Sequence, residues 1–181
     1  MQVPDSPRLS FALLTQNEGH LLYELDSDPE VMRYISDGKT SSMDFINNTY
    51  LPRLAKFSNP EKGWGIWKVI VKESQDFIGW VLVRPMDFFG DTPKYDDLEM
   101  GWRFMQKAWG KGYATEAAQA IKNVVEKQDD VNFISAIAEE DNIGSISIMK
   151  KLGLDYIKTD IHKDPLGDAE LVFYQQRVTN N

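Results

Sequence analysis

A mixed α/β fold is what the sequence predicts, and three observations predict it. Short β-branched and aromatic runs crowd both ends of the chain, one clear amphipathic helix lies in its second half, and no linker or repeat divides it. The 181 residues fall in the ~100–200-residue range of a single domain, and a hydrophobic share of 42% can fill a core.

Residues 1–7 read as a tail, 8–178 as the domain and 179–181 as a C-terminal tail. Arg8–Leu14 is the first strand, closed by Thr15 as cap of a helix over Gln16–Leu25. Asp28-Pro29-Glu30 offers a cap, a proline at the first helical position and an acidic first turn, so a short helix begins there. A helix over Ser42–Lys56 carries an imperfect apolar stripe, and Pro52 must kink or break it. Trp64–Val71 and Phe77–Val83 are strands joined by a polar five-residue turn, hence an antiparallel hairpin. In Asp97–Phe104, Leu98, Met100, Trp102 and Phe104 alternate with Glu99, Gly101 and Arg103, which makes a half-buried strand with a carboxylate on its other face. Ala114, Ala117, Ala118, Ile121, Val124 and Val125 recur at helical spacing and define Tyr113–Lys127. A buried strand over Asn132–Ala138 follows. A helix capped by Asp141 or Asn142 then runs to Leu152 and stops at Gly153, and Asp155–His162 and Glu170–Val178 are the closing strands.

Composition excludes several chemistries. There is no cysteine, so disulfides, thiolate nucleophiles and Cys-ligated clusters are out, and His20 and His162 alone leave little for a metal. A net charge of −8 repels phosphate backbones, so nucleic acid is not an expected partner. No apolar run approaches the ~20 residues that span a bilayer, and the start lacks a signal-peptide layout. The expectation is a cytoplasmic protein without a membrane partner. Trp64 and Trp67 could serve an interface between two copies, a homodimer, or equally a strand core.

Strand, glycine turn, helix is an arrangement that holds a phosphate, because glycines let the backbone approach and helix-end amides point at the anion. A Walker A loop is disfavoured: Met105 stands where its first glycine belongs, and Gly112 follows Lys111. The dinucleotide fingerprint fails at its third glycine, where Thr115 stands, and the preceding strands form a hairpin.

Trp109-Gly110-Lys111-Gly112-Tyr113-Ala114 instead resembles the acetyl-CoA loop of the GNAT superfamily, Q/R-x-x-G-x-G/A, with Trp109 departing at the first position. Followed by Thr115-Glu116-Ala117, it is similar to the ribosomal-protein-alanine N-acetyltransferase-like branch. So are Asp28-Pro29-Glu30-Val31-Met32, Asn142-Ile143-Gly144-Ser145-Ile146 and Lys150-Lys151-Leu152-Gly153-Leu154. The resemblance spans most of the chain. It implies a mixed, mostly antiparallel central sheet flanked by helices, and an acetyl-CoA-dependent N-acetyltransferase acting on a primary amine by direct attack in a ternary complex. The acceptor is a protein N-terminus or, as in similar relatives, an aminoglycoside, polyamine or other small amine. A non-catalytic acyl-CoA-binding module is the alternative.

By the same resemblance, Trp102, Arg103 and Phe104 pair with the pantetheine arm, the amides of Gly110, Lys111, Gly112, Tyr113, Ala114 and Thr115 hold the pyrophosphate, and Trp109 and Asn142 also count among the cofactor-binding residues. Gly101 is expected to mark the irregularity that lets its strand splay, and a Cβ at Gly110 or Gly112 would hinder the phosphates. The amine must lose a proton, the oxyanion needs a donor and the thiolate benefits from a proton. Glu99 stands where relatives place the proton acceptor, or else is a solvent-facing strand residue. An amide among Met100 to Trp102 is the oxyanion donor. The tyrosine that usually protonates the thiolate is replaced by Met149, which points to Ser145, while Asn142 and Ser145 also fit a helix cap and a first-turn residue. Acceptor contacts are expected from the helices after Asp28, from the Pro85–Asp96 loop with Phe88 and Phe89, and from the last two strands. Asp87, Asp91, Asp96 and Asp97 either draw an ammonium group or are merely solvated, and His162 is either a base or structural.

Overall fold

The computed structural model describes residues 1–179, so Asn180 and Asn181 of the expected C-terminal tail lie outside the described residues. Seven strands form one sheet in the order β1-β2-β3-β4-β5-β7-β6. They are β1 (Leu9–Leu13), β2 (Gly65–Val71), β3 (Phe77–Met86), β4 (Lys94–Phe104), β5 (Phe133–Ala138), β6 (Asp155–His162) and β7 (Ala169–Arg177). Every pairing is antiparallel except β4 with β5. The mixed, mostly antiparallel sheet is the one expected.

Strand β3 shows how the two faces are assigned. Val81 and Val83 point into one core, with Leu9, Val69, Leu98 and Met100, and are covered by Ala117, Ala118, Ile121 and Val125 of helix α5 (Tyr113–Val125). Trp80 points the other way, into a second core with Leu22, Leu25, Ile46, Leu54 and Phe57. These come from α1 (Gly19–Asp26) and a helical run whose parts are α3 (Met43–Phe45), a π-helical turn (Ile46–Tyr50) and α4 (Leu51–Phe57). The strand period of two thus builds a sheet buried on both faces. Pro85 is tolerated in β3 because β2 begins only at Gly65, opposite Val83, and asks for no amide beyond it.

Local chemistry accounts for the helix limits. The Glu18 carboxylate accepts from the Thr15 amide (2.8 Å) and hydroxyl (2.9 Å), so Gln16–Glu18 is a 3₁₀ turn and α1 starts after it. The Asp28-Pro29 segment forms turns in which Asp28 accepts from the Glu30 amide, and the helix there, α2 (Arg33–Ser36), begins later than expected. Pro52 does not break its helix: the preceding turn widens to π geometry, which shifts the ladder before the residue that lacks a donor. Asn142, not Asp141, caps α6 (Ile143–Lys151) by accepting from the Ser145 amide at 3.1 Å, and Gly153 ends it at φ 80°.

Residues 1–7 are packed, not loose. Val3 is buried in the first core and the Ser6 hydroxyl donates to Glu116 at 2.7 Å. Trp64 and Trp67 are core residues, which removes them as interface candidates. Among the described residues, no helix is long and apolar enough to cross a membrane.

Candidate functional site

The site begins where two strands part. Strands β4 and β5 pair only over Asp97–Glu99 and Phe133–Ser135, and beyond that point they diverge. The amide of Met105 donates to Ile78 of β3 at 2.9 Å, so by strand alternation Arg103, Gly101 and Glu99 also bond β3. The peptide groups of Met100, Trp102 and Phe104 therefore face the gap. Gly101 does not mark the irregularity: β4 stays in register with β3 through it, opposite Leu82, and the register shift lies between Pro85 and Met86.

Past the end of β4, Gly110 (φ 70°) and Gly112 (φ 77°) adopt left-handed backbone, which a side chain would strain. A Cβ on Gly110 would meet open space, so its conformation is what calls for glycine. The first helical bond of α5 runs from the Glu116 amide to the Gly112 carbonyl, and the amides of Gly110 to Thr115 donate to no acceptor among the described residues. Six free donors at a helix N-terminus make an anion cradle. Trp109, at the position where the motif departs, donates its indole N–H to the Phe104 carbonyl at 2.8 Å and so satisfies a peptide oxygen that β5 no longer reaches.

Sequence reasoning missed the brace of this loop. Arg8 donates to the Lys111 carbonyl (2.9 Å), pairs with Glu116 (2.6 Å) and lies 4.3 Å from the centre of the Tyr113 ring. Burial acts to raise the Glu116 carboxyl, but hydrogen bonds from Ser6 and Arg8 outweigh it and hold it below its ordinary value.

Across the gap, the Trp102 indole donates to Ser145 Oγ at 3.0 Å. An indole can only donate, so Ser145 is the acceptor in that bond and its own proton stays available. Met149, in place of a tyrosine, is buried in the core. A cavity of about 770 Å³ opens here, with Met100, Gly101 and Trp102 on one bank and Ile137, Asn142 and Ser145 on the other.

Glu99 is not solvent-facing: it is buried on the α1–α4 side, and its two oxygens accept from Arg84 at 2.8 and 3.1 Å. Burial opposes the charge on Arg84, but the Glu99 carboxylate more than restores it, raising its pKa. Arg84 lines the cavity wall and Glu99 lies behind it. The Arg103 side chain reaches into the cavity and pairs with buried Asp26, which also takes the Ser41 hydroxyl. Arg53 pairs with Asp164 at 2.6 Å and ties the β6–β7 loop to α4 over the cavity. The cavity is lined by the segments after Asp28 and by the last two strands. Phe88 and Phe89 instead pack on Phe57, and Asp87, Asp91 and Asp97 line a separate cavity of about 380 Å³. Glu139, on the main cavity's edge, has its pKa raised by burial and by Asp37 and Asp141. No group of His, Asp or Glu is placed to hold a metal among the described residues.

Comparison with known proteins adds the following. The acetyltransferase (GNAT) domain profile matches residues 8–155. The uncharacterized N-acetyltransferase YnaD of Bacillus subtilis is 34% identical over 136 residues, 74% of this chain and 71% of that one. Among solved structures, the ribosomal L7/L12 α-N-protein acetyltransferase RimL, in complex with coenzyme A, superposes with a TM-score of 0.75 at 10% identity and full coverage of both chains (100% each). The aminoglycoside acetyltransferase AAC(6')-Ib, in complex with ribostamycin and coenzyme A, has a TM-score of 0.73 at 17% identity, covering 94% of this chain and 93% of that one.

Proposed function

The chain belongs to the GNAT acetyltransferase family, and on that premise we propose that it transfers the acetyl group of acetyl-CoA to a primary amine by direct attack in a ternary complex. The observation that carries the reading is the junction of three things in one cavity: a parted pair of strands, six free amides at the α5 N-terminus, and a serine with its proton unspent. Gly110 to Thr115 would hold the coenzyme's phosphates, with Trp109 fixing the start of the loop. The gap-facing peptides of Met100, Trp102 and Phe104 would pair with the pantetheine arm, and Arg103 contributes its side chain to the cavity wall. Acetyl-CoA supplies an activated thioester carbonyl. A gap-facing amide of Met100 or Trp102 stabilises the oxyanion, and Ser145, held by Trp102 and by the Asn142 cap, gives its proton to the leaving thiolate. Glu99 serves by fixing Arg84 on the wall, since both its oxygens are already engaged.

The acceptor is a protein N-terminus or a small amine. RimL favours the first as a structural neighbour. The acidic edge formed by Glu139, Asp37 and Asp141 favours a cationic acceptor such as a polyamine or aminoglycoside. A cytoplasmic location is part of the same proposal.

The test is thiol release from acetyl-CoA with panels of amino-terminal peptides, polyamines and aminoglycosides, beside calorimetric binding of acetyl-CoA. Acceptor-dependent release is the expected result. Binding without release on any panel points to an acyl-CoA-binding module, and absence of binding refutes both.

A further inference from the structure

Direct attack leaves one role unfilled: the acceptor enters as an ammonium ion and must lose a proton before it can act as a nucleophile. Three carboxylates near the parted strands are spoken for, Glu99 by Arg84, Asp26 by Arg103 and Ser41, Asp164 by Arg53, while Glu139 stands on the cavity's acidic edge beside Asp37 and Asp141. His162, at the end of β6, is not spoken for. Its side chain is only 10% exposed and lines the cavity, yet it makes no hydrogen bond among the described residues. Nδ1 is fully buried without a partner and lies 3.8 Å from Asp87 Oδ1. Nε2 is not closed off in this way.

His162 pairs in register with Ala169 of β7, and both line the cavity. Its ring lies against Phe173 of β7, with centroids 6.3 Å apart. Phe173 stands opposite Ile137 of β5, two residues beyond Ser135, which is the last β5 residue paired with β4. His162 therefore lies on the cavity face of the β6–β7 hairpin, which with Ala169 and Leu171 borders the opening between β4 and β5.

We propose that His162 is the general base of the reaction, with Asp87 as the residue that positions it. This rests on the acetyltransferase reading above. Asp87 accepts from Nδ1–H once the ring moves in from 3.8 Å by about 0.6–1 Å, which leaves the Nε2 lone pair to take a proton from the acceptor's ammonium group, directly or through one water. The freed amine attacks the thioester carbon, a C–N bond forms and the C–S bond breaks. The imidazolium passes its proton to solvent. The second nitrogen proton is the one the thiolate finally receives, through the Ser145 hydroxyl. The charged groups lining the cavities that the imidazole borders include Asp87 with its partner Lys94, Asp91, Asp97 from β4, Arg84 from β3, Arg53 from α4, and Lys158, Lys163 and Asp164 from its own hairpin.

Two readouts on the full chain test this. With only His20 and His162 present, long-range proton–nitrogen spectra of the imidazoles report each tautomer. The expected result is the Nδ1–H tautomer for His162, shifted toward Nε2–H in Asp87→Asn; an Nε2–H tautomer in the unmodified protein overturns the proposal. For turnover, an alanyl tetrapeptide, spermidine and kanamycin are the acceptors. His162→Gln should lower kcat about 10²- to 10³-fold, remove the acid limb of the kcat/KM profile and leave acetyl-CoA binding unchanged. Asp87→Asn should lower kcat less, about tenfold. A His162→Gln enzyme within about threefold of the unmodified kcat also overturns it. If the unmodified protein acetylates none of the three acceptors, the acetyltransferase reading fails, and the tautomer still decides the geometry.

Discussion

Ser145 and Glu99 carry the same kind of sequence signal, a polar residue in a suggestive place, and their surroundings separate them. Ser145 accepts from an obligate donor and keeps its proton free, so Ser145→Ala should lower kcat by about 10²-fold while calorimetric acetyl-CoA affinity stays within about twofold. An unchanged kcat removes it from the chemistry. Glu99 neutralises a buried guanidinium, so Glu99→Gln leaves a buried charge uncompensated and should lower unfolding free energy by about 3 kcal/mol in urea titrations. A stability equal to the unmodified protein's would mean that water reaches Arg84. Nothing local in Arg84 or Glu99 announces this pair; fifteen positions of hairpin bring the two together. Strand alternation in the sequence gives the face of Glu99 but not what covers it, and α1–α4 provide that cover.

At the scale of elements, the glycine loop, the α6 cap and the hairpin were legible because each is written in consecutive residues. The π-helical turn ahead of Pro52 was not, since a proline signals a conflict without saying how the ladder resolves it. The brace of the loop was invisible for another reason: Arg8 and Glu116 are 108 positions apart. Removing it with Arg8→Ala should weaken acetyl-CoA binding by about tenfold, because the loop must then be ordered at the expense of binding energy. The brace also depends on acidity. The folded pKa of Glu116 lies below its ordinary 4.5, so its stabilising contribution is complete above about that value and is lost as pH falls through the depressed one. Acid titration of unfolding free energy should therefore be shallower in Glu116→Gln than in the unmodified protein, and parallel curves would contradict the brace.

At the scale of the whole molecule, the single parallel pairing among antiparallel ones lets the sheet open in its middle, and the β6–β7 hairpin closes over that opening through Arg53 and Asp164. Breaking this latch with Asp164→Ala should speed amide exchange in residues 163–168 and raise the acceptor KM several-fold, leaving the acetyl-CoA KM nearly unchanged. Equal exchange in both proteins would show that the hairpin holds its place without the ion pair. The order of the seven strands, with β7 between β5 and β6, is not written in any local pattern. It follows from which edges remain after the consecutive hairpins have paired. The six free amides have a further consequence. An anion such as a phosphate suits them, and phosphates belong equally to acetyl-CoA and to the coenzyme left after transfer. If the coenzyme binds as proposed, its spent form should compete with acetyl-CoA for the same grip, and product-inhibition kinetics would read the competition as a rise in the acetyl-CoA KM.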